Sequence, residues 1–333
     1  MFEMSVGGRR CGLFGHLHYC IMLSKICKTI EDNCLLSEGD RIIAAISGGA
    51  DSVALFLILD ELKKKFKLKL VAAHVNYGVR EEAGEDENFV RDLAKRLKVE
   101  CEVLKTGKPP SSGNFEAWAR DVRYDFFEKV REKHNADKIA VAHTRDDQVE
   151  TVLLNFLRGA GPLGLAGMRY RRGRIIRPFL DVIKTDLVRY INKRGEKYRV
   201  DKTNINLKFK RNWIRHKLLP YLRENFNENI CEIIFSSSKI FAKHADFLRE
   251  EAEFWLKKNV DKLQKNKYSL KNFFKKSPIL QGEIIRTIIG VRDIGQVHIG
   301  EILDMLKNSE PGRKKTFKKI TIQKTRDNFL VIC

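Results

Sequence analysis

The chain has 333 residues, enough for two domains and a sizeable core. Hydrophobic residues make up 43% and charged residues 32%, which excludes a disordered chain, and no run approaches the ~18 apolar residues of a membrane span. Lys plus Arg is 64 against 43 Asp plus Glu, a net charge of +21 that favours a polyanionic partner, nucleic acid first, although solubility alone also accounts for such an excess.

In chain order, residues 1–21 mix Gly7-Gly8-Arg9-Arg10 with Cys, His, Leu and Tyr. They lack the clean apolar run and cleavage site of a signal peptide, and we read them as an extension ahead of a domain that starts at Met22. A short helix is predicted over 23–33, a buried strand over 41–46 and a helix from Val53 to Phe66. Between that strand and helix stands Ser47-Gly48-Gly49-Ala50-Asp51-Ser52. Glycines there let the chain turn sharply, and a helix N-terminus offers backbone N–H groups to an anion. Asp51 repels a phosphate unless a cation such as Mg²⁺ lies between them. The stretch is not a Walker A loop, because no Lys follows the second glycine, and G-x-G-x-x-G is absent. An ordinary glycine turn, with the helix capped by Asp51 or Ser52, is the alternative.

Strands and helices then alternate. Strands are predicted over 68–74, 99–104 and 138–143, and helices over 85–97, 114–134, with Asn114 as N-cap, and 146–157. Pro109 to Gly113 is a loop. Such alternation implies an α/β fold, a doubly wound parallel sheet covered on both faces, with ligands beyond the carboxyl ends of its strands. Ser47, His74 and His143 fall at strand ends and should converge on one crevice. A last short strand is predicted over 175–179, a helix over 184–193, a polar loop over 201–208 and a basic helix from Lys210. Long helical patterns follow Pro220. The stretch 268–333 reads as a small α+β unit, with helices near 279–289 and 297–306 and short strands within 316–322 and 328–332.

The stretch Ala142 to Thr151 is the second chemical signal. Asp147 and Glu150 are three apart and share a helix face near His143. Two carboxylates beside a phosphate crevice can bind Mg²⁺, hold a cationic amine or take a proton from it. Acids at a helix N-terminus also simply complement its dipole. Arg211 and Arg215 lie four apart on one basic face, suited to phosphate or RNA, or else merely solvated.

Ser47 to Ser52 resembles the SGGxDS signature of the PP-loop ATP pyrophosphatases. With His143, Asp147, Glu150 and Thr151 in an AHxxDDQxET pattern, the chain resembles the tRNA(Ile)-lysidine synthase family. His74 to Arg80 is similar to HxNHxLR, with Tyr77, Gly78 and Val79 as departures. Phe115 to Tyr124 resembles EExARxxRY. Arg158 to Gly161 stands for RGxG, Arg177 to Leu180 for RPLL, and Asp201 to Asn204 with Arg211 to Pro220 for DxSN and RNxIRHxLLP.

The resemblance covers most of 42–220 and is looser beyond. It implies a PP-loop, adenine nucleotide alpha hydrolase-like fold over 22–218. Residues 219–333 would form a helical linker and a small basic α+β domain that binds tRNA. It further implies a cytoplasmic ligase that adenylates the wobble cytidine of tRNA(Ile) with a CAU anticodon, using ATP and Mg²⁺. Free L-lysine then displaces AMP to give lysidine. By carry-over Ser47, Gly48, Gly49, Ala50, Asp51, Ser52, His74 and Arg120 bind ATP, and Asp51 holds Mg²⁺. Asp51, His143, Asp147 and Glu150 are catalytic, the last three also binding lysine. Arg211, Arg215, Lys314, Lys315, Lys318 and Lys319 would contact tRNA. A homodimer is left open, and no membrane association is implied.

Other readings differ in testable ways. A PP-loop tRNA thiolase generally needs paired cysteines. Here Cys11, Cys20, Cys27, Cys34, Cys101, Cys231 and Cys333 are scattered with no C-x-x-C, which fits a reducing cytosol and argues against zinc or a disulfide framework. A small-molecule amidating ligase leaves +21 and the basic C-terminal unit without a reason. A non-catalytic nucleotide-dependent RNA-binding protein leaves Asp147 and Glu150 without one.

Overall fold

The computed structural model describes residues 13–79, 82–107, 115–200, 206–260, 266–290, 294–317 and 320–332. The expectations for residues 1–12, Arg80, Pro109 to Asn114, Asp201 to Asn204, Lys318 and Lys319 lie outside these residues. The chain gathers into two compact units, Met1–Glu150 with Met168–Cys231, and Thr151–Gly167 with Glu232–Cys333. The division falls at Cys231, where the sequence reading set a boundary after 218.

The first unit opens with α1 (Leu13–Asp32), β1 (Arg41–Ala45), α2 (Ala50–Phe66), β2 (Lys69–Asn76) and α3 (Ala83–Arg96). There follow β3 (Glu100–Lys105), α4 (Phe115–Lys133), β4 (Lys138–Ala140) and α5 (Arg145–Leu157), whose later turns belong to the second unit with α6 (Pro162–Leu165). The first unit resumes with β5 (Arg171–Arg172), β6 (Ile175–Ile176), α7 (Lys184–Lys193), α8 (Lys210–Trp213), a π-helical turn Ile214–Leu218 and α9 (Leu219–Asn225). The sheet order is β3-β2-β1-β4-β6-β5, and only β5 runs antiparallel to its neighbour.

Alternation along β1 assigns the two faces of the sheet. Ile42 and Ala44 pack with Ile26, Val53, Leu57 and Leu187, so α1, α2 and α7 cover one side. Ile43, Val71 and Ala73 pack with Phe127 and Val130 of α4 on the other. The expected doubly wound sheet is present.

Three local expectations change. The helix expected from residue 23 begins at Leu13, inside the supposed extension, and Met22, Ile26 and Ile30 are buried at four-residue spacing. The strand expected over 138–143 ends at Ala140, so His143 lies on the following loop. The strand expected over 175–179 shortens to Ile175–Ile176, because Pro178 has no N–H to continue the ladder. It turns back on the unexpected β5 through Gly173, whose φ of +58° suits glycine.

The second unit continues with most of α10 (Ile230–Asn259), then β7 (Lys267–Ser269), α11 (Leu270–Phe274), α12 (Pro278–Ile289), α13 (Gln296–Asn308), β8 (Lys314–Phe317), β9 (Ile320–Lys324) and β10 (Asn328–Ile332). Its antiparallel sheet has the order β7-β10-β9-β8. Phe273, Ile284, Ile302 and Phe329 centre its core, and the Tyr268 and Phe329 rings stack 5.3 Å apart.

In the first unit Lys138 Nζ donates to Asp40 Oδ2 at 2.6 Å, with side chains only 7% and 10% exposed. Removing one member leaves the other charge buried and unpaired. Lys138→Ala should therefore lower unfolding stability by about 3 kcal/mol. Urea unfolding checks this, and Lys138→Met combined with Asp40→Leu should cost far less.

Candidate active site

The strand order reverses between β1 and β4, where connections leave in opposite directions and open a crevice beyond the strand ends. The loop after β1 carries Ser47 to Gly49, and the loop after β4 carries His143. A cavity of about 650 Å³ lies there, lined by Ser47, Gly49, Asp51, Ser52, His143, Asp147, Lys184, Arg199, Arg211 and Arg215 among others.

Gly48 has φ +89°, a conformation L side chains rarely adopt. Ser47 N–H donates to Ser52 Oγ at 3.1 Å, and Ser52 Oγ donates to Gly49 O at 2.9 Å, which closes the loop. Gly49 is the N-cap of α2 and supplies no side-chain cap, so neither Asp51 nor Ser52 acts as the cap considered above. The N–H groups of a helix's first turn have no intrahelical acceptors, so this end is built for an anion. Arg199 N–H donates to Gly48 O at 2.9 Å and ties a distant segment across the loop. The Arg199 side chain is held by Glu85 at 2.6 Å and Asp86 at 2.8 Å.

Asp51 Oδ2 meets Lys184 Nζ at 3.2 Å, while its Oδ1 is buried without a partner. Burial pushes the Asp51 carboxyl above the usual carboxylate range; Lys184 opposes this and Asp147 adds to it. A buried, unpaired carboxylate oxygen beside a second carboxylate and two serine hydroxyls is a hard-oxygen donor set, so the residues fit Mg²⁺. Lys184 is placed by Asp146, whose Oδ2 accepts the Lys184 N–H at 2.8 Å.

Asp147 has two separate jobs. Its Oδ2 accepts Thr144 N–H at 2.9 Å, while Asp147 N–H reaches Thr144 Oγ1 at 3.4 Å, a reciprocal cap on α5. Its Oδ1 faces Arg215 at 3.5 Å and Arg211 at 3.7 Å. Burial alone would favour the protonated form, but the Arg211 guanidinium, with the Thr144 N–H and Arg215, holds the carboxyl below its usual range.

Glu150 was expected beside the lysine, but it is 1% exposed and does not line the cavity. Its Oε1 takes Arg215 Nε at 2.6 Å, and its Oε2 takes Arg211 Nε and Arg215 Nη2 at 2.9 Å each. Arg211 and Arg215, expected on an RNA-facing surface, turn inward because this buried carboxylate draws both. The π-helical turn Ile214–Leu218 carries Arg215 at that point.

Arg177 Nε donates to His143 Nδ1 at 3.2 Å. A guanidinium only donates, so Nδ1 accepts and the ring proton sits on Nε2. Burial first, then the Arg177, Arg211 and Arg120 guanidinium groups, push the ring down to about 3 against the pull of Asp147. His143 is thus a neutral N–H donor at the crevice. His74 is buried, with Nδ1 2.8 Å from Ile46 O and Nε2 without a partner. Arg120 is exposed, its guanidinium 4.9 Å from the Tyr124 ring centre. Neither His74 nor Arg120 is among the residues that line the cavity.

Lys184 and Arg199 escaped the sequence reading, and no local pattern marks them. The Thr144-x-x-Asp147 cap was legible as a capping box. No cysteine lines the cavity among the described residues.

Folded His143 stays neutral to about pH 3, whereas an unfolded ring titrates near 6.5. The unfolded state then binds more protons between those values, so this group's contribution is complete above 6.5 and is lost as pH falls toward 3. His143→Gln should flatten the acid side of the stability–pH curve, read as urea midpoints. NMR of the native ring should show no titration between about pH 5 and 8.

Residues 20–222 match the family model of the PP-loop domain. Over 302 residues the chain is 33% identical to the tRNA(Ile)-lysidine synthase of Clostridium acetobutylicum, covering 86% of this chain and 65% of that one. Over 325 residues it is 32% identical to that of Clostridioides difficile, covering 93% and 70%. The chain thus spans just under two thirds, 65%, of the first relative's length. A solved U34-tRNA thiolase from Methanococcus maripaludis, with its 4Fe-4S cluster, shares the fold at a TM-score of 0.59 and 16% identity, over 69% of this chain and 80% of that one. The glycine loop at the sheet's switch point and the relatives that match across it agree: the chain belongs to the PP-loop family and, within it, to the tRNA(Ile)-lysidine synthases.

Proposed function

We propose that this chain joins the ε-amine of free lysine to the wobble cytidine of tRNA(Ile) with a CAU anticodon, through an adenylated cytidine, with release of pyrophosphate and AMP. The observation that carries this reading is the uncapped N-terminus of α2 beside the unpaired Asp51 oxygen. That pair suits a polyphosphate that arrives with a divalent cation.

In this reading the loop from Ser47 to Ser52 holds the β- and γ-phosphates through backbone N–H groups. Asp51 would hold Mg²⁺, which would supply charge neutralisation as pyrophosphate departs. Lys184 sits beside Asp51 to receive the leaving charge. The cytidine carbonyl oxygen bonds to the α-phosphorus as the α,β-anhydride breaks. His143 donates its Nε2–H to a phosphate oxygen. The lysine nitrogen then bonds to the carbonyl carbon, AMP leaves with the oxygen, and Asp147 takes the amine proton. Glu150 acts through Arg211 and Arg215, holding both at the crevice. No helix among the described residues is long and apolar enough to cross a membrane. We place the reaction in the cytoplasm, where tRNA and lysine are found.

tRNA-dependent ATP–pyrophosphate exchange separates this ligase from a nucleotide-dependent RNA binder, which gives none. Asp51→Ala or Ser47→Ala should abolish exchange with the fold intact. Asp147→Asn and Glu150→Gln should lower lysine incorporation about 10²-fold or more. Wild-type rates in both would return these acids to a purely structural role.

The basic edge of the second unit is the proposed tRNA grip. Lys314 and Lys315 lie on β8, and Lys315 Nζ also meets Glu301 at 2.9 Å. Replacing Lys314, Lys315, Lys318 and Lys319 with Ala should weaken tRNA binding and leave ATP affinity unchanged. Each lost phosphate contact should lower the log–log salt slope by roughly 0.7–0.9.

A further inference from the structure

From Lys210 to Asn225 the chain runs as one rod, α8 passing through the π-helical turn into α9. Arg211, Arg215 and Leu219 follow at four-residue spacing on its inner side, where the arginines line the cavity and Leu219 is buried. Two positions on from each stand Trp213, Lys217 and Tyr221. Two residues turn a helix by about half a revolution, so this second line points away from the first. Four-residue steps drift sideways along an α-helix, but the wider π turn takes up that drift and keeps the line straight. Trp213 is 47% and Tyr221 56% exposed, and Lys217 is exposed between them. The Phe226 ring, 6.0 Å from that of Tyr221, braces it.

Charge and residue order indicate what this outer line receives. No Asp or Glu occurs from Asn206 to Arg223. Glu150 holds Arg211 and Arg215 on the inner side, which leaves Lys208, Lys210 and Lys217 exposed on the outside. Such a surplus calls for phosphate. The centre of a protein interface gathers aromatic rings but is depleted of Lys. Ring, lysine, ring instead suits single-stranded RNA, whose bases stack on aromatic faces while its backbone meets cations. Trp213 and Tyr221 are eight residues apart, about 12 Å along the rod. That is several times the step of about 3.4 Å between stacked bases, so each ring takes its own splayed base. Bases free to splay belong to loops rather than duplexes.

We propose that Trp213 and Tyr221 stack two unpaired bases of the anticodon loop, with Lys217 on the backbone between them, while the wobble base reaches past the rod into the crevice. This rests on the function proposed above. A helix with its side chains is about 10–12 Å across, a width that a few nucleotides of loop can straddle. The RNA contact expected of Arg211 and Arg215 thus passes to the opposite side of the same helix.

Titration of the full chain with an anticodon stem-loop hairpin, and with a blunt duplex of the same stem, tests this, with circular dichroism melts to confirm that each variant folds. Trp213→Ala should weaken hairpin binding about tenfold, and Trp213→Ala with Tyr221→Ala about a hundredfold, while duplex binding stays within about twofold. Trp213→Phe keeps a ring and should bind the hairpin almost as the native chain does, yet lose most of the tryptophan quenching that the hairpin causes. Lys217→Ala should lower the log–log salt slope for the hairpin by about 0.7. In lysidine formation, Trp213→Ala should raise the KM for tRNA and not that for ATP. A native chain that does not bind the hairpin, a folded Trp213→Ala that binds it with native affinity, hairpin and duplex affinities that fall together, or a Trp213→Phe as weak as Trp213→Ala each overturns the proposal. A native chain that binds and quenches as stated but forms no lysidine overturns the proposed function and leaves the stacking line standing.

Discussion

A carboxylate withdrawn from water needs paired charge, and at Glu150 that need orders the whole crevice. Its two oxygens take guanidinium N–H groups from Arg211 and Arg215. The arginines are thereby held within reach of Asp147. Asp147 stays ionised although burial opposes it. Arg211 also helps keep His143 neutral. One buried acid thus helps, through its arginines, to keep Asp147 ionised, while at His143 burial is the larger cause.

The crevice is arranged so that charge is missing in one place. Asp51 has one oxygen on Lys184 and one with no partner. The first turn of α2 beside it has no side-chain cap. A buried carboxylate oxygen without a partner is costly, and so is a helix end without acceptors. On the proposed function, a polyphosphate that carries a divalent cation would relieve both, and the sheet edge holds these unsatisfied groups in place.

Glycine and serine do different work in the loop. Gly48 supplies a backbone conformation that L side chains rarely adopt. Ser52 closes the turn through its hydroxyl, which accepts from Ser47 N–H and donates to Gly49 O. Arg199 then fastens the loop from a segment far away in sequence. The loop's shape is thus shared between local chemistry and one long-range strap.

Much of this was legible in the residues themselves. Period-two and four-residue spacings located the strands and helices of the sheet, because those periods follow from backbone geometry alone. The glycine loop and the neighbouring acids marked the crevice, because a sheet's switch point must lie where its connections reverse. The sequence could not tell which acid lines the crevice. Asp147 and Glu150 share a helix face, yet only the packing of Arg211 and Arg215 decides that Glu150 is buried against both guanidinium groups while Asp147 lines the cavity. Nor could it give the His143 tautomer, which depends on Arg177 arriving from the segment after β6. Lys184 and Arg199 carry no local pattern, since their roles come from elements that meet only in three dimensions. Local periodicity and turn chemistry are properties of neighbours along the chain, whereas burial and ion pairing belong to neighbours in space, and the fold alone chooses those.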